Sequence, residues 1–156
     1  MKQYIGTKLI QAEPAYRIDG KIYPKTWPIP AACRKMEDGY KVVYQDGYES
    51  WSPKDVFEAA YLPVTGNESL RTAGPSISPR MVNDFIRNIE VITLSDVTTV
   101  VRAVLRNGFE IVESTSCISD DAYDEHQRAL MCLERIKNKV EMLLGFLIQT
   151  AVHGIQ

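Results

Sequence analysis

The stretch that decides the fold runs from Thr98 to Thr115 and reads TTVVRAVLRNGFEIVEST. Two runs rich in β-branched residues flank Asn107-Gly108, a pattern that predicts a β-hairpin with a two-residue turn whose two residues both take a positive φ. That register places three pairs on one face, namely Arg106 with Phe109, Val104 with Ile111 and Arg102 with Glu113. The other face carries Leu105, Ala103, Val101 and Val112. Because neither face is polar throughout, both need cover, from the N-terminal region or from another copy of the chain.

Helices are predicted on both sides of this hairpin. Ser78-Pro79 indicates the start of a short helix with an apolar stripe of Met81, Phe85 and Ile89. Ser119-Asp120-Asp121 indicates the start of a helix of roughly 30 residues, about 45 Å long, with Gly154 as its stop. The apolar face of this long helix is expected to contain Tyr123, Leu130, Leu133, Ile136, Val140, Leu143, Leu144 and Leu147. Such a helix is longer than a small module requires. We therefore expect part of it to contact a partner, or the helix to break near Gly145.

The N-terminal region has a different pattern. Asp46-Gly47 lies between two alternating segments and predicts another hairpin. Ser52-Pro53-Lys54-Asp55 then predicts a capped start of a short helix, with Ser52 as the cap. Gly, Ser, Pro and Asn crowd residues 64–77, as in a linker. We therefore predict an α+β chain with a small antiparallel β-rich module at 1–63, a linker at 64–77, and a module at 78–156 in which a β-hairpin packs on a short and a long α-helix.

Composition limits the possible functions. A formal net charge of -2 argues against a protein that coats long nucleic acid, although a local basic pocket for a small anion is compatible with it. The three cysteines, Cys33, Cys117 and Cys132, are odd in number and widely spaced, which favours reduced thiols. The first residues lack the apolar core of a signal peptide, and the longest apolar run, Met142–Ile148, is too short to cross a bilayer. We expect a soluble, cytoplasmic protein without a membrane partner.

Catalytic and metal-binding patterns are poorly represented. His126 and His153 are the only histidines, and neither belongs to a metalloprotease spacing. No Walker-type glycine loop, dinucleotide fingerprint or nucleophile elbow is present, and cysteine and histidine do not cluster as metal ligands do. The acids at 120–125 are explained by the positive end of the long helix. We predict that the protein is not an enzyme and needs no metal or cofactor.

Basic residues provide the candidate ligand site. Arg128, Arg135 and Lys139 share one stripe of the long helix, and like charges at i, i+4 destabilise a helix unless an anion such as phosphate compensates them. The alternative is a solvated face on which Asp124 pairs with Arg128. At the hairpin tip, Arg106, Asn107 and Phe109 combine a cation, an amide and a ring, the groups that hold small nucleotides. The alternative there is an ordinary turn with a core phenylalanine.

The segment from Val97 to Phe146 resembles a known family. VTTVVRAVLRNGFEIVESTSCIS, DDAYDEH and ERIKNKVEMLLGF are similar to small phage proteins that act as sponges, sequestering cyclic oligonucleotide signals of CBASS defence or cyclic ADP-ribose isomers of Thoeris defence. The turn Asn107-Gly108-Phe109 and the helix positions Lys137, Lys139, Gly145 and Phe146 match the family pattern, whereas Glu141 stands where an aromatic residue is common. MKQYIGTKLIQAEP, TWPIP and DGYESWSPKDVFEAAY resemble a module that precedes varied C-terminal domains in phage and prophage proteins, including anti-Thoeris ones. Here Lys25-Thr26 replace the Arg-Gly that commonly precedes its tryptophan.

The resemblance implies a function. It implies an anti-defence sponge in the infected bacterial cytoplasm that binds a cyclic nucleotide without cleaving it, at sites between the protomers of a homo-oligomer, most often a hexamer. The alternative is an oligomeric phage accessory or protein-interaction protein without a small ligand. The candidate ligand-binding residues are Arg102, Arg106, Asn107, Phe109, Arg128, Arg135, Lys137 and Lys139.

Overall fold

The computed structural model describes residues 1–29, 35–72, 74–119 and 123–155. It divides into two compact units, one formed by Met1–Pro63 with Thr150–Gln156 and one by Val64–Gln149. Both units contain an antiparallel sheet, and the second contains most of a long helix, so the α+β prediction is confirmed. None of the described helices is long and apolar enough to cross a membrane.

The first unit is a four-stranded antiparallel sheet with one short helix. The sheet order is β2-β1-β3-β4. Its elements are β1 (Gln11–Ile18), β2 (Lys21–Pro24), β3 (Met36–Val43), β4 (Glu49–Pro53) and α1 (Lys54–Ala60). Asp19 and Gly20 both have positive φ between β1 and β2, as a two-residue hairpin turn requires. Ala15, Ile18 and Val42 are buried apolar residues of this unit, Ala15 on one face of the sheet and the other two on the opposite face.

The predicted Asp46-Gly47 hairpin forms, with a different turn. The amide of Tyr44 donates to the carbonyl of Tyr48, so the loop has three residues. Only Gly47 has a positive φ; Asp46 instead accepts a hydrogen bond from the Tyr48 amide on its Oδ1. The predicted Ser52 cap is wrong. Strand β4 continues through Pro53, the helix begins at Lys54, and the Ser52 hydroxyl donates to the carbonyl of Pro53.

A close approach of β3 and β4 defines the interior of this unit. Gly39 lies opposite Pro53, and a Cβ atom at Gly39 would lie 2.2 Å from the Ser52 carbonyl oxygen and 2.7 Å from the Trp51 ring. The Arg17 guanidinium covers the same ring at 4.0 Å from its centroid. Only glycine leaves room for the indole at this position.

The second unit is a three-stranded antiparallel sheet with the order β5-β6-β7. Its elements are α2 (Pro79–Phe85), β5 (Ile86–Ser95), β6 (Thr98–Leu105), β7 (Glu110–Ser116) and α3 (Glu125–His153). Ser78 caps α2, because its side chain accepts a hydrogen bond from the Met81 amide. The predicted helical stripe through Ile89 is wrong, since α2 ends at Phe85 and the chain continues directly into β5. The run Ile89–Leu94 is rich in β-branched residues, which favour the strand.

The Asn107-Gly108 hairpin also forms, but its predicted register is wrong by one residue. The amide of Leu105 donates to the carbonyl of Phe109, so Arg106, Asn107 and Gly108 make a three-residue loop. Gly108 has a φ of 84°, whereas Asn107 accepts a hydrogen bond from the Phe109 amide. The pairs are therefore Ala103 with Ile111, Arg102 with Val112 and Val101 with Glu113. This shift moves Ile111 onto the face of Val101 and Ala103, and Val112 onto the face of Arg102.

Helix α3 covers the sheet face that carries Val101 and Ala103, here called the helix face. Its buried residues recur at i, i+4, namely Cys132, Ile136, Val140 and Leu144. The helix begins at Glu125, where Asp124 accepts a hydrogen bond from the Gln127 amide. The predicted start at Ser119 is wrong, and its Asp120 and Asp121 lie outside the described residues. Gly154, at a φ of 74°, follows the end of the helix as predicted.

Candidate functional site

The candidate ligand residues from the sequence lie in separate parts of the second unit. Arg102 lies on the face of the sheet opposite α3. Its side chain donates to Glu90 on β5 at 2.8 Å and to Glu110 on β7 at 2.9 Å. Arg102 holds the pKa of Glu110 below its usual range, mainly through the hydrogen bond. Since two carboxylates already occupy its guanidinium, Arg102 is a cross-strand tie between all three strands.

Arg135 and Lys139 extend from α3 over the edge strand β7. Lys139 forms an ion pair with Glu113, and Arg135 Nη1 donates to the carbonyl of Ser114 at 3.4 Å. The like charges at i, i+4 are thus compensated within the chain, by a carboxylate and a carbonyl. This arrangement accounts for both residues without a bound phosphate.

The residues of the hairpin tip are separated from these two cations. The Arg106 amide donates to the carbonyl of Phe85, which ties the tip to the end of α2. Phe109 is 57% exposed, so the ordinary-turn alternative with a core phenylalanine is wrong on that point. Arg128 is half-buried on α3, with its Nη1 beside Met131 Sδ, and the ion pairs between described residues do not include Asp124 with Arg128.

Lys137, one of the predicted residues, lines a concave surface. Because it lies two residues before Lys139, Lys137 extends from the opposite side of α3, towards α2 and β5. There it lines an open groove of about 260 Å³ together with Asn83, Ile86, Arg87, Asn88, Ile89 and Leu133. We call these seven residues the α2–β5 groove. It combines two cations and two amides with apolar walls, and no acid lines it.

Sequence reasoning missed Arg87, Asn83 and Asn88 because it extended the first helix through Ile89. If the helix continued through Ile89, the sequence would not indicate that Arg87 and Asn88 lie beside Lys137. In the structure, α2 ends at Phe85, and the register of β5 shifts between Ile86 and Asn88. The change from helix to strand brings this stretch beside Lys137. The pair Arg87-Asn88 directly after the apolar Phe85-Ile86 was the available signal.

The size of the groove determines what it can bind. Pockets for small ligands usually measure about 300–1,000 Å³ and enclose most of the ligand. The α2–β5 groove is smaller and open, so it offers a cationic wall for an anion rather than an enclosure. A ligand of nucleotide size would need a second surface opposite it.

Reactive chemistry has little support among the described residues. No three His, Cys, Asp or Glu side chains lie together as a metal would require in that part of the chain. Cys132 is fully buried, and burial raises the pKa of its thiol, which disfavours a nucleophilic thiolate.

One family model matches the chain, over most of the second unit. Residues 77–152 match the model of the phage protein (N4 Gp49/phage Sf6 gene 66) family. This match indicates a phage protein. No curated protein and no solved structure matches the chain. The phage-family segment, residues 77–152, includes α2, β5, β6, β7 and nearly all of α3, so every residue of the α2–β5 groove lies within it.

Proposed function

We propose that this phage protein is an anti-defence sponge, which binds a cyclic nucleotide signal of bacterial immunity and releases it unchanged. The observation that carries the proposal is the α2–β5 groove. Arg87 and Lys137 supply two positive charges to one concave surface, and Asn83 and Asn88 supply amide donors and acceptors beside them. Arginine, lysine and amide groups together suit the phosphates and ring edges of a nucleotide.

The pairing of the basic side chains favours the groove as the anion site over the other basic positions. Arg102 and Lys139 are each paired with carboxylates, so an anion would have to displace those partners. Arg87 and Lys137 take part in none of the ion pairs between described residues. An anion can therefore approach them without breaking an internal contact.

Sequestration, rather than turnover, is proposed from the chemistry of the lining. Amide, guanidinium, ammonium and aliphatic groups make up the groove, and none of them is a general base at neutral pH. A sponge competes with a cellular receptor, so tight stoichiometric binding suffices for its function.

Calorimetry tests the assignment. We expect a panel of cyclic ADP-ribose isomers and cyclic oligonucleotides to include a tight ligand. Replacing Arg87 and Lys137 together by alanine should weaken its binding by roughly a hundredfold or more, because each charge-assisted contact contributes about 1.5–3 kcal/mol.

The matched control is the double variant Arg135→Ala/Lys139→Ala, which removes the same two charges from the other side of α3. It should leave the dissociation constant within a few-fold of the wild type. If instead this variant loses binding and the groove variant keeps it, the site lies over β7 and the groove assignment is wrong.

The second candidate function is an oligomeric phage accessory protein without a small ligand. Exposed apolar residues on β5 favour it, because contiguous apolar surface often marks a protein interface. A panel that gives neither heat nor a melting shift would support this function over the sponge.

A further inference from the structure

The loop that leads into α2 is closed at its neck. Its two ends meet where the Thr65 and Ser78 hydroxyl oxygens lie 2.7 Å apart, within hydrogen-bond distance. Two residues further into the loop, the Asn67 amide donates to the Ser76 hydroxyl at 2.9 Å. Residues 65–78 therefore have the form of an Ω-loop, a compact surface loop whose ends are joined.

Ser78 joins this neck to α2. The Ser78 hydroxyl accepts a hydrogen bond from the Met81 amide at 3.2 Å, so the oxygen that caps the helix is also the one that contacts Thr65. The Thr65 amide in turn donates to Met81 Sδ at 3.4 Å. Both Ser78 and Met81 are buried, and a buried hydroxyl is destabilising when it loses a hydrogen-bond partner. We call Thr65, Ser78 and Met81 the α2 clasp.

Helix α2 depends on such anchors because it is short. It has seven residues, whereas isolated helices shorter than about 12–15 residues are only marginally stable in water. The clasp holds its first turn, and the Arg106 amide holds its last turn by donating to the Phe85 carbonyl. Between these two anchors, Met81 and Val82 are buried and Asn83 lines the α2–β5 groove. The position of Asn83 therefore follows from how firmly both ends of α2 are held.

The other walls of the groove are anchored independently of the clasp. Lys137 belongs to α3, whose buried residues pack it on the sheet. Asn88 and Ile89 belong to β5, which pairs with β6 along its length. Asn83 is thus the lining residue contributed by the short helix. A wall that must first become ordered lowers the affinity for a ligand by the free energy of ordering it.

We propose that the α2 clasp holds α2 in its binding position, and that Thr65, which lies outside the groove, is the positioning residue for Asn83. The ordering of α2 stands on the hydrogen bonds of the clasp alone, whereas its effect on ligand affinity rests on the proposed function. Loss of the Thr65 hydroxyl should loosen α2, and weaker binding should follow from that.

Amide hydrogen exchange tests the clasp without any ligand. Thr65→Val removes the hydroxyl and keeps the β-branched shape, whereas Thr65→Ser keeps the hydroxyl. The amides of Met81 and Val82 are the reporters, because they donate to the hydroxyl and the carbonyl of Ser78. They should exchange about tenfold faster in Thr65→Val, the factor that corresponds to the loss of one hydrogen bond. Thr65→Ser should restore the wild-type rate.

Thr72→Val is the matched control for this experiment. It makes the same substitution in the same loop, but the Thr72 hydroxyl accepts from the Gly74 amide and does not contact α2. The exchange of the α2 amides should therefore stay at the wild-type rate. Unchanged exchange in Thr65→Val, or an equal change in Thr72→Val, overturns the clasp. So does a parallel change in the amides of α3, which would show that Thr65 stabilises the whole unit and not α2 in particular.

Calorimetry tests the effect of the clasp on the groove. The probes are the panel of cyclic ADP-ribose isomers and cyclic oligonucleotides, and the tightest of them should bind Thr65→Val about three- to tenfold more weakly than the wild type. Thr65→Ser and Thr72→Val should bind as the wild type does. Faster α2 exchange with unchanged binding overturns the positioning of Asn83 and leaves the clasp intact. A panel in which nothing binds overturns the proposed function instead, and the exchange rates then decide the clasp by themselves.

Discussion

Gly39→Ala tests the close approach of β3 and β4 most directly. Alanine in a strand normally stabilises relative to glycine by roughly 0.5–1 kcal/mol, because glycine loses more backbone entropy on folding. Here the new Cβ would lie 2.2 Å from the Ser52 carbonyl oxygen and 2.7 Å from the Trp51 ring. Overpacking of this kind costs about 1–3 kcal/mol, and the clash with backbone puts Gly39→Ala at the upper end. The net expected destabilisation is about 2 kcal/mol.

Tryptophan fluorescence during denaturant unfolding measures this effect. Both tryptophans, Trp27 and Trp51, lie in Met1–Pro63, so the signal follows the first unit. Gly6→Ala is the control, since its Cβ would meet nothing within 4 Å. A Gly39→Ala midpoint indistinguishable from the wild type, or a Gly6→Ala variant equally destabilised, would refute the argument that the Trp51 indole requires a glycine at position 39.

Three further predictions follow from local geometry. Gly108→Ala should lower the free energy of unfolding by about 1–2 kcal/mol, because Gly108 has a φ of 84° that alanine rarely adopts. Asn107→Ala removes one exposed hydrogen bond and should cost less. Thermal melts followed by helical circular dichroism compare the two, and equal losses of stability would favour a two-residue turn. Arg102 lowers the pKa of Glu110, so the pair stabilises the fold fully above a pH of about 4.3, and this stabilisation is lost as the pH falls through the lowered pKa. The difference in unfolding free energy between the wild type and Glu110→Gln should therefore vanish in acid. A difference that grows in acid contradicts the ion pair. Limited digestion with trypsin should cut first after the exposed Arg71, giving fragments 1–71 and 72–156. A first internal cut elsewhere would show that the predicted linker at 64–77 is wrong.

The sequence predicts the parts of the fold that depend on local patterns. Alternation around Asp46-Gly47 and Asn107-Gly108 indicates both hairpins, and the i, i+4 spacing of apolar residues indicates the long helix. The turns have three residues because Asp46 and Asn107 use their side chains to accept a backbone hydrogen bond, which the dipeptide alone does not reveal. A slip of one residue then exchanged Ile111 and Val112 between faces.

The candidate site depended on tertiary contacts and was harder to predict. Four-residue spacing correctly places Arg135 and Lys139 on one side of α3, but their partners, Ser114 and Glu113, lie on β7. Arg87 could not be placed beside Lys137 until the helix-to-strand change at Phe85 was known. Periodicity identifies helical neighbours, whereas partners on other elements follow from the packing.

Recovery of an intact ligand tests the central claim most directly. The protein is incubated with an excess of cyclic ADP-ribose isomers and cyclic oligonucleotides, separated from free ligand, and heated to release the bound ligand. Mass spectrometry of the released material should return one signal class with unchanged mass, in stoichiometric amount, from the wild type and not from Arg87→Ala/Lys137→Ala. A hydrolysed product would show that the protein is an enzyme, and equal recovery from both proteins would show that the α2–β5 groove is not the site.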